Sequence, residues 1–474
     1  MNKAIKINLS LFVLFFVLFT TSCFAKSPKY IFYFVADGLG VNQIAGTEMY
    51  LAEIDGEIGY KQLCFSSFPI SGLSYTYSSS SGITDSAAAG TALSTGKKTN
   101  NGILGILPDK QTPLKSIAYM AKEKGKRVGI CTTVSIDHAT PAAFYANSLS
   151  RDSYYNIGVQ MTETNFDFFA GSDILQEKPK NNQIDAISLY DMSESAGYTI
   201  ARGYDDYLVK APNSEKIILF HTKENNSASS LKFSIDQKPE DLNLKKITIA
   251  AIDFLMKEPK KGFFLMVEGG KIDQACHGND AATCIQEVID MDEAIKVAYD
   301  FYLQHKDETL IVVTADHETG GFGLGNGEYR LNLKVLQHQK MSEDAFTRHL
   351  QALNRNNGKP LSWEDVQKEL KENFGFWDKV RLNPRQAERL RTVYNETFGS
   401  GEVIEKQEEY YKVDNLSDLA INILNEIAQI SWGTGAHSAV FVPVFAIGAG
   451  AEKFSGRMDN IEIPEKIATV AGYR

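Results

Sequence analysis

The sequence predicts an α/β fold: a central, mostly parallel β-sheet sandwiched between helices. Three observations carry that expectation. Short β-rich runs that are apolar almost throughout recur along the chain, helical patterns lie between them, and three of the runs end in an acidic residue. Near-continuous apolar character marks strands covered on both faces, and strand–helix alternation supplies a parallel sheet with helices on both sides.

The N-terminus opens with Lys3 and Lys6, an apolar run from Leu9 to Phe19, and then Cys23-Phe24-Ala25. Small residues at the third and first positions before Lys26 predict cleavage there, so 1–25 reads as a secretory signal. The apolar run is shorter than the roughly 20 residues a membrane span needs. The alternatives are an uncleaved anchor and lipid attachment at Cys23, for which Thr-Thr-Ser is a loose recognition sequence.

Strands are expected at 30–36 (YIFYFVA), 127–134 (RVGICTTV), 216–222 (KIILFHT), 262–268 (GFFLMVE), 309–315 (TLIVVTA) and 439–448 (AVFVPVFAIG). Helices are expected in PLKSIAYMAKEKG, with Pro113 at its start and Gly125 as its stop, in PEDLNLKKITIAAIDFLMKE and in IQEVIDMDEAIKVAYDFYLQH. From about 323 to 430 the chain turns polar and mostly helical. Ser362-Trp363-Glu364-Asp365 is a capping box with Asp in place of Glu, and Asn383-Pro384 opens a further helix. This block reads as an insertion into one catalytic domain spanning 26–474.

Of the 474 residues 43% are hydrophobic, ample for a large core, and the net charge of −10 gives no global positive field for nucleic acid. An anionic substrate must be drawn by local cations. Beyond the signal, Cys131 falls in an apolar run and reads as a buried thiol. Cys276 and Cys284 are near enough to pair in an oxidising compartment, but spacing leaves that bridge open.

The acidic strand ends carry the chemistry. YIFYFVA runs into Asp37-Gly38, GFFLMV into Glu268-Gly269, and TLIVVTA into Asp316-His317. Ligands of open α/β sheets sit beyond the carboxyl ends of the strands. A single acid there is ordinarily a helix cap, but three converging carboxylates repel one another unless cations neutralise them. Histidines stand nearby: Asp273 and His277 are spaced i, i+4, His317 follows Asp316, and His437 precedes the last strand. Mixed His and carboxylate donors suit Zn²⁺, and an all-oxygen set suits Mg²⁺.

A further stretch, SSSSGITDSAAAGTALSTG (78–96), holds six serines and three threonines. A serine is a poor nucleophile until its surroundings activate it, and composition does not say which hydroxyl that would be.

Together these motifs resemble the alkaline phosphatases. The resemblance runs through YIFYFVADGLG, TDSAAAGTALSTGKKTNNGILG, DHATPAAFYANSLSR, VEGGKIDQACH, TADHETGG and GTGAHSAV, and so covers essentially the whole mature chain. It implies a phosphomonoesterase that passes through a phosphoserine at Ser86, in Asp85-Ser86-Ala87. It implies one Zn²⁺ held by Asp37, Asp316 and His317 beside Ser86, and a second held by Asp273, His277 and His437. Asp37, Thr140 and Glu268 would hold Mg²⁺, with His138 at a position where relatives carry Asp or His and so tune that site's metal. Arg151 would grip the phosphoryl oxygens, oriented by Asp85. Gln274 stands where relatives use Lys, His or Trp, and a neutral amide should hold product less tightly. A homodimer is the family habit, with the 323–430 insertion at the place of a variable crown-like region. Relatives on the same fold that cleave phosphodiesters, phosphonates or sulfates are the alternatives, but no C/S-x-P-x-R motif surrounds Ser86.

Overall fold

The computed structural model describes residues 27–179, 186–224, 226–356, 360–398, 405–407 and 409–474. The secretory signal expected at 1–25, with Cys23, lies outside the described residues. Ten strands form one sheet: β1 (Tyr30–Val35), β2 (Ile70–Tyr75), β3 (Arg127–Thr132), β4 (Phe168–Gly171), β5 (Tyr198–Arg202), β6 (Lys216–Phe220), β7 (Phe263–Glu268), β8 (Thr309–Thr314), β9 (Val442–Gly448) and β10 (Gly456–Asp459). Their order across the sheet is β10-β2-β9-β8-β1-β7-β3-β4-β6-β5. Every pairing is parallel except those of β9, which runs against both β2 and β8.

The helices that matter for the site are α1 (Val41–Ile54), α2 (Ser86–Thr95), α3 (Ile117–Glu123), α4 (Leu244–Leu255), α5 (Lys271–His277) and α6 (Ala281–Gln304). The polar block supplies α7 (Glu343–Asn356), α8 (Trp363–Phe374), α9 (Pro384–Thr397) and α10 (Asn415–Ala428). Central β1 is buried on both faces, as its unbroken apolar run requires. Phe32 and Phe34 pack into one core with α4 and α6, while Ile31, Tyr33 and Val35 pack into the other with α2 and α3. A third core joins Phe346, Leu370, Leu390 and Leu416 of the polar block to Tyr50 of α1 and Ile285 of α6.

Each apolar run singled out in the sequence forms a strand, but four further strands were not legible in it. β4 has four residues, β2 is half-exposed with the polar sequence ISGLSY, and β5 and β10 occupy the two edges of the sheet. Neither a short strand nor an edge strand needs a continuous apolar run.

Three helix starts move for capping reasons. α3 begins at Ile117 because the Ser116 hydroxyl accepts the Tyr119 N–H, and Pro113 lies instead in an isolated bridge opposite Ile106. α4 begins after Asn243, whose side chain accepts the Lys246 N–H, and α6 begins earlier than its apolar pattern, after Asp280. The Ser362 and Asn383 capping boxes are both formed.

Phe32 is fully buried, with its ring 5.1 Å from Phe263 and 5.5 Å from Phe301 between centroids. Truncating it to Ala empties the junction of β1, β7 and α6. The Phe32→Ala variant should lose about 3–5 kcal/mol of stability, read as a lower urea midpoint.

Candidate active site

The sheet register brings the acids together. β1 pairs with β8 so that Val35 lies opposite Thr314, and with β7 so that Val35 lies opposite Glu268. Asp37 and Asp316 therefore each fall two residues beyond one shared rung. β3 pairs with β7 so that Thr132 also lies opposite Glu268. All three acids thus leave the same edge of four adjacent strands, at the carboxyl ends where α/β sheets bind ligands. Asp37, Glu268, Asp273 and Asp316 are each almost completely buried.

Backbone geometry brings α5 against this edge. Gly38 has φ +78°, and a Cβ there would lie 2.8 Å from the Asp273 Cα. Only glycine lets the turn after β1 approach α5 so closely. Asp273 and His277 share one face of α5, with His277 Nε2 3.4 Å from Asp273 Oδ1. His277 Nδ1 donates to the Gly435 carbonyl at 2.8 Å, and His437 Nδ1 donates to the Thr84 carbonyl at 2.8 Å. Those bonds turn each Nε2 inward. His437 also stacks on His317, with 3.5 Å between ring centroids.

Ser86 is the first residue of α2, fully buried, with its Oγ 3.2 Å from His317 Nε2. Asp85 caps the helix: Oδ1 accepts the Ala88 N–H at 3.0 Å, and Oδ2 accepts the Gly102 N–H at 3.0 Å and Arg151 Nη1 at 3.1 Å. Arg151 Nη2 donates to His138 Nε2 at 3.3 Å. The helix start adds a favourable field for a phosphate placed there. Gly90, one turn on, lets α2 close on the single turn Ala139–Ala142, where a Cβ would stand 3.3 Å from the Thr140 Cα. Other hydroxyls of this stretch are taken up by backbone: Thr84 Oγ1 donates to the Asp85 carbonyl, Thr91 Oγ1 to the Ala87 carbonyl, Ser94 Oγ to the Ala143 carbonyl and Thr95 Oγ1 to the Thr91 carbonyl.

Among the described residues, donor atoms collect in three groups that can hold metal ions: Asp37 with Asp316 and His317, Asp273 with His317 and His437, and Asp37 with His138 and Glu268. His317 stands between the first two groups. His277 lies beside the second, and Thr140 Oγ1 donates to Asp37 Oδ2 at 3.3 Å beside the third. The fit to cations rests on unsatisfied atoms. Asp37 Oδ1, Asp316 Oδ2, Glu268 Oε1 and His277 Nε2 are buried without a hydrogen-bond partner among the described residues, although such atoms are normally paired.

The electrostatics say the same. Burial raises Asp37, and the carboxylates of Asp316, Asp273 and Glu268 raise it further. Burial also raises Asp316 and Glu268, with Asp273 and Asp316 respectively adding to it. Burial opposes the Asp273 carboxylate, but His277 above all, together with His437, holds it well below the usual range. Burial opposes the His277 imidazolium too, yet Asp273 and the Gly435 carbonyl lift that ring to about 9. His317 is pushed well down by burial and by His437, so its contacts of 3.4 Å with Asp37 and 3.2 Å with Asp316 are those of a neutral ring. Burial and Arg151 push His138 down to about 3, so it also offers a neutral nitrogen.

Several site residues carried no sequence signal. Thr132 Oγ1 donates to Glu268 Oε2, and Thr319 Oγ1 donates to Asp273 Oδ1. Tyr410, from the polar block, donates to Asp273 Oδ2 at 2.8 Å. Gln274 is buried, and its Oε1 accepts from Lys271 Nζ at 2.8 Å. A cavity of about 550 Å³ opens beside Lys271, Phe233 and Arg348, but none of the clustered acids or histidines lines it. Cys276 and Cys284 are free thiols with their sulfurs 3.4 Å apart.

Two outcomes follow from this geometry. Gly38→Ala drives a methyl group into Asp273, so metal affinity should fall at least about tenfold, measured by chelator competition. Asp316, Glu268 and His277 must each lose a proton to take a metal. Metal binding should therefore release protons and tighten as pH rises from about 6 to 9, seen as buffer-dependent heats in calorimetry.

Comparison with known proteins identifies the family. The family model described as alkaline phosphatase matches residues 28–188 and 213–473. Alkaline phosphatase 3 of Bacillus subtilis is 33% identical over 393 residues, covering 82% of this chain and 78% of its own. The cold-active alkaline phosphatase of a psychrophilic Shewanella species superposes with a TM-score of 0.77 at 30% identity, covering 93% of this chain and 99% of that one. The alkaline phosphatase of Thermus thermophilus also gives 0.77, at 26% identity, over 95% and 92% of the two chains. With its acids, histidines and serine in the matched segments, this chain belongs to the alkaline phosphatase family.

Proposed function

We propose that this alkaline phosphatase hydrolyses phosphate monoesters in two displacements at Ser86. The observation that carries the reading is the position of Ser86 Oγ, at the start of α2 and 3.2 Å from His317 in the donor cluster. Ser86 Oγ attacks phosphorus, the bond to the alcohol oxygen breaks, and a phosphoserine forms. Water then attacks the same phosphorus, the bond to Ser86 Oγ breaks, and phosphate leaves with the serine restored.

Arg151 holds the transferring group. Two of its N–H groups serve Asp85 and His138, and the others remain to grip non-bridging oxygens. The donor set supports Zn²⁺ at Asp37, Asp316 and His317, Zn²⁺ at Asp273, His277 and His437, and Mg²⁺ at Asp37, Thr140 and Glu268. When bound, such cations ionise the attacking hydroxyl and neutralise charge on the departing oxygen. The neutral imidazole of His138 beside the third set favours a metal that accepts nitrogen there in place of the bond from Arg151.

The export pattern of 1–25 supports a periplasmic or secreted enzyme, with lipid attachment at Cys23 as the other outcome, and N-terminal sequencing separates them. The family resemblance supports a homodimer, which sedimentation tests.

Turnover of an aryl phosphate should far exceed that of a bis-aryl phosphate or an aryl sulfate, and the opposite order would overturn the reading. Ser86→Ala should keep its metal content yet lose roughly a thousandfold or more in kcat, with no phosphoenzyme trapped by acid quench. Arg151→Ala should lower kcat/KM by about 10–100-fold, with much of the loss in KM.

A further inference from the structure

Among the described residues, the polar block of 323–430 reaches the Asp273 carboxylate through Tyr410. A short antiparallel pair, Glu405–Gln407 with Lys412–Asp414, presents the tyrosines 410 and 411 toward α5. The pair is anchored at its far end, where Asp414 caps α10 by accepting the Leu416 and Ser417 N–H groups. Tyr411 lies on one flank, its ring edge-on to Phe233 with 6.3 Å between centroids. Tyr410 points into the cluster. Its ring centroid is 5.3 Å from that of His277, edge-on, and 6.4 Å from that of His138.

The hydroxyl of Tyr410 divides the work of the Asp273 carboxylate. Oδ2 accepts from Tyr410 at 2.8 Å. Oδ1 accepts from Thr319 and faces His277 Nε2 at 3.4 Å and His437 Nε2 at 3.7 Å. A carboxylate free to rotate about its bond to the chain offers a cation either oxygen in many orientations. One held at Oδ2 offers Oδ1 toward the two imidazoles and little else. Outer hydrogen bonds of this kind orient metal ligands and are commonly worth a factor of 10–100 in affinity.

We propose that Tyr410 is a positioning residue for the metal site at Asp273, His277 and His437, and that through it the helical block of 323–430 acts on the reaction. The inference rests on the reading of those three residues as metal ligands. Tyr410 touches none of the reacting atoms in this role. Its ring walls the space between His277 and His138, and its hydroxyl fixes the angle at which Asp273 meets the cation.

The test uses the full mature chain and Zn²⁺ alone as the probe, titrated against a chromogenic chelator, for the parent and for Tyr410→Phe. Phenylalanine keeps the ring and removes only the hydroxyl, so the melting temperature of the metal-free variant should match the parent. One bound equivalent of Zn²⁺ should be released at about 10–100-fold higher free metal in the variant. At sub-saturating Zn²⁺, kcat should fall while KM stays within about twofold, and excess Zn²⁺ should restore kcat. Parent-like Zn²⁺ affinity in Tyr410→Phe overturns the role of Tyr410 and leaves the ligand assignment standing. A parent that binds no Zn²⁺ overturns both.

Discussion

Four buried carboxylates, Asp37, Glu268, Asp273 and Asp316, face one another at a single edge of the sheet, and this crowding governs the molecule. Buried like charges repel strongly and cannot all ionise without compensation. The protein supplies part of that compensation through His277 and His437, which hold Asp273 ionised. The remainder shows as buried oxygens with no partner among the described residues, and in a member of this family cations answer that need. Metal loading and the final packing of the edge are therefore one equilibrium rather than two.

What creates the crowding is register, and register is set far from the site. Parallel pairing of β1 with β7 and β8 is fixed by the burial of Phe32, Phe34 and their neighbours, since a slip of one residue would turn those rings to the wrong core. The hydrophobic core thus pays for the electrostatic cost of the site, and the two cannot be redesigned separately. The helical block of 323–430 joins the same arrangement from outside. It packs on Tyr50 and Ile285 through its own core and returns to α5 through its tyrosine pair.

The central strands were legible because burial on both faces leaves an unbroken apolar run, and the acids because each directly follows such a run. The strands that escaped, β2 and β10 among them, keep exposed residues and share their composition with loops. Ser86 could not be separated from its neighbouring hydroxyls by composition, and the resemblance singled it out. In the structure Thr84, Thr91, Ser94 and Thr95 donate to backbone carbonyls, while Ser86 faces His317. Tyr410 was invisible for a different reason. It lies 137 residues from Asp273 with no periodic pattern or motif around it, so only the folded chain brings the two together. Thr132 and Thr319 escaped likewise, because a threonine at a strand end has many structural uses.

Asp85 has a consequence beyond starting a helix. One carboxylate group joins the first turn of α2, the loop at Gly102 and the guanidinium of Arg151. Nucleophile and anion grip thus share a mechanical reference point. The separation of Ser86 and Arg151 is thereby set by the two arms of one carboxylate, over a few ångströms of chain, and not by the packing of the whole sheet edge.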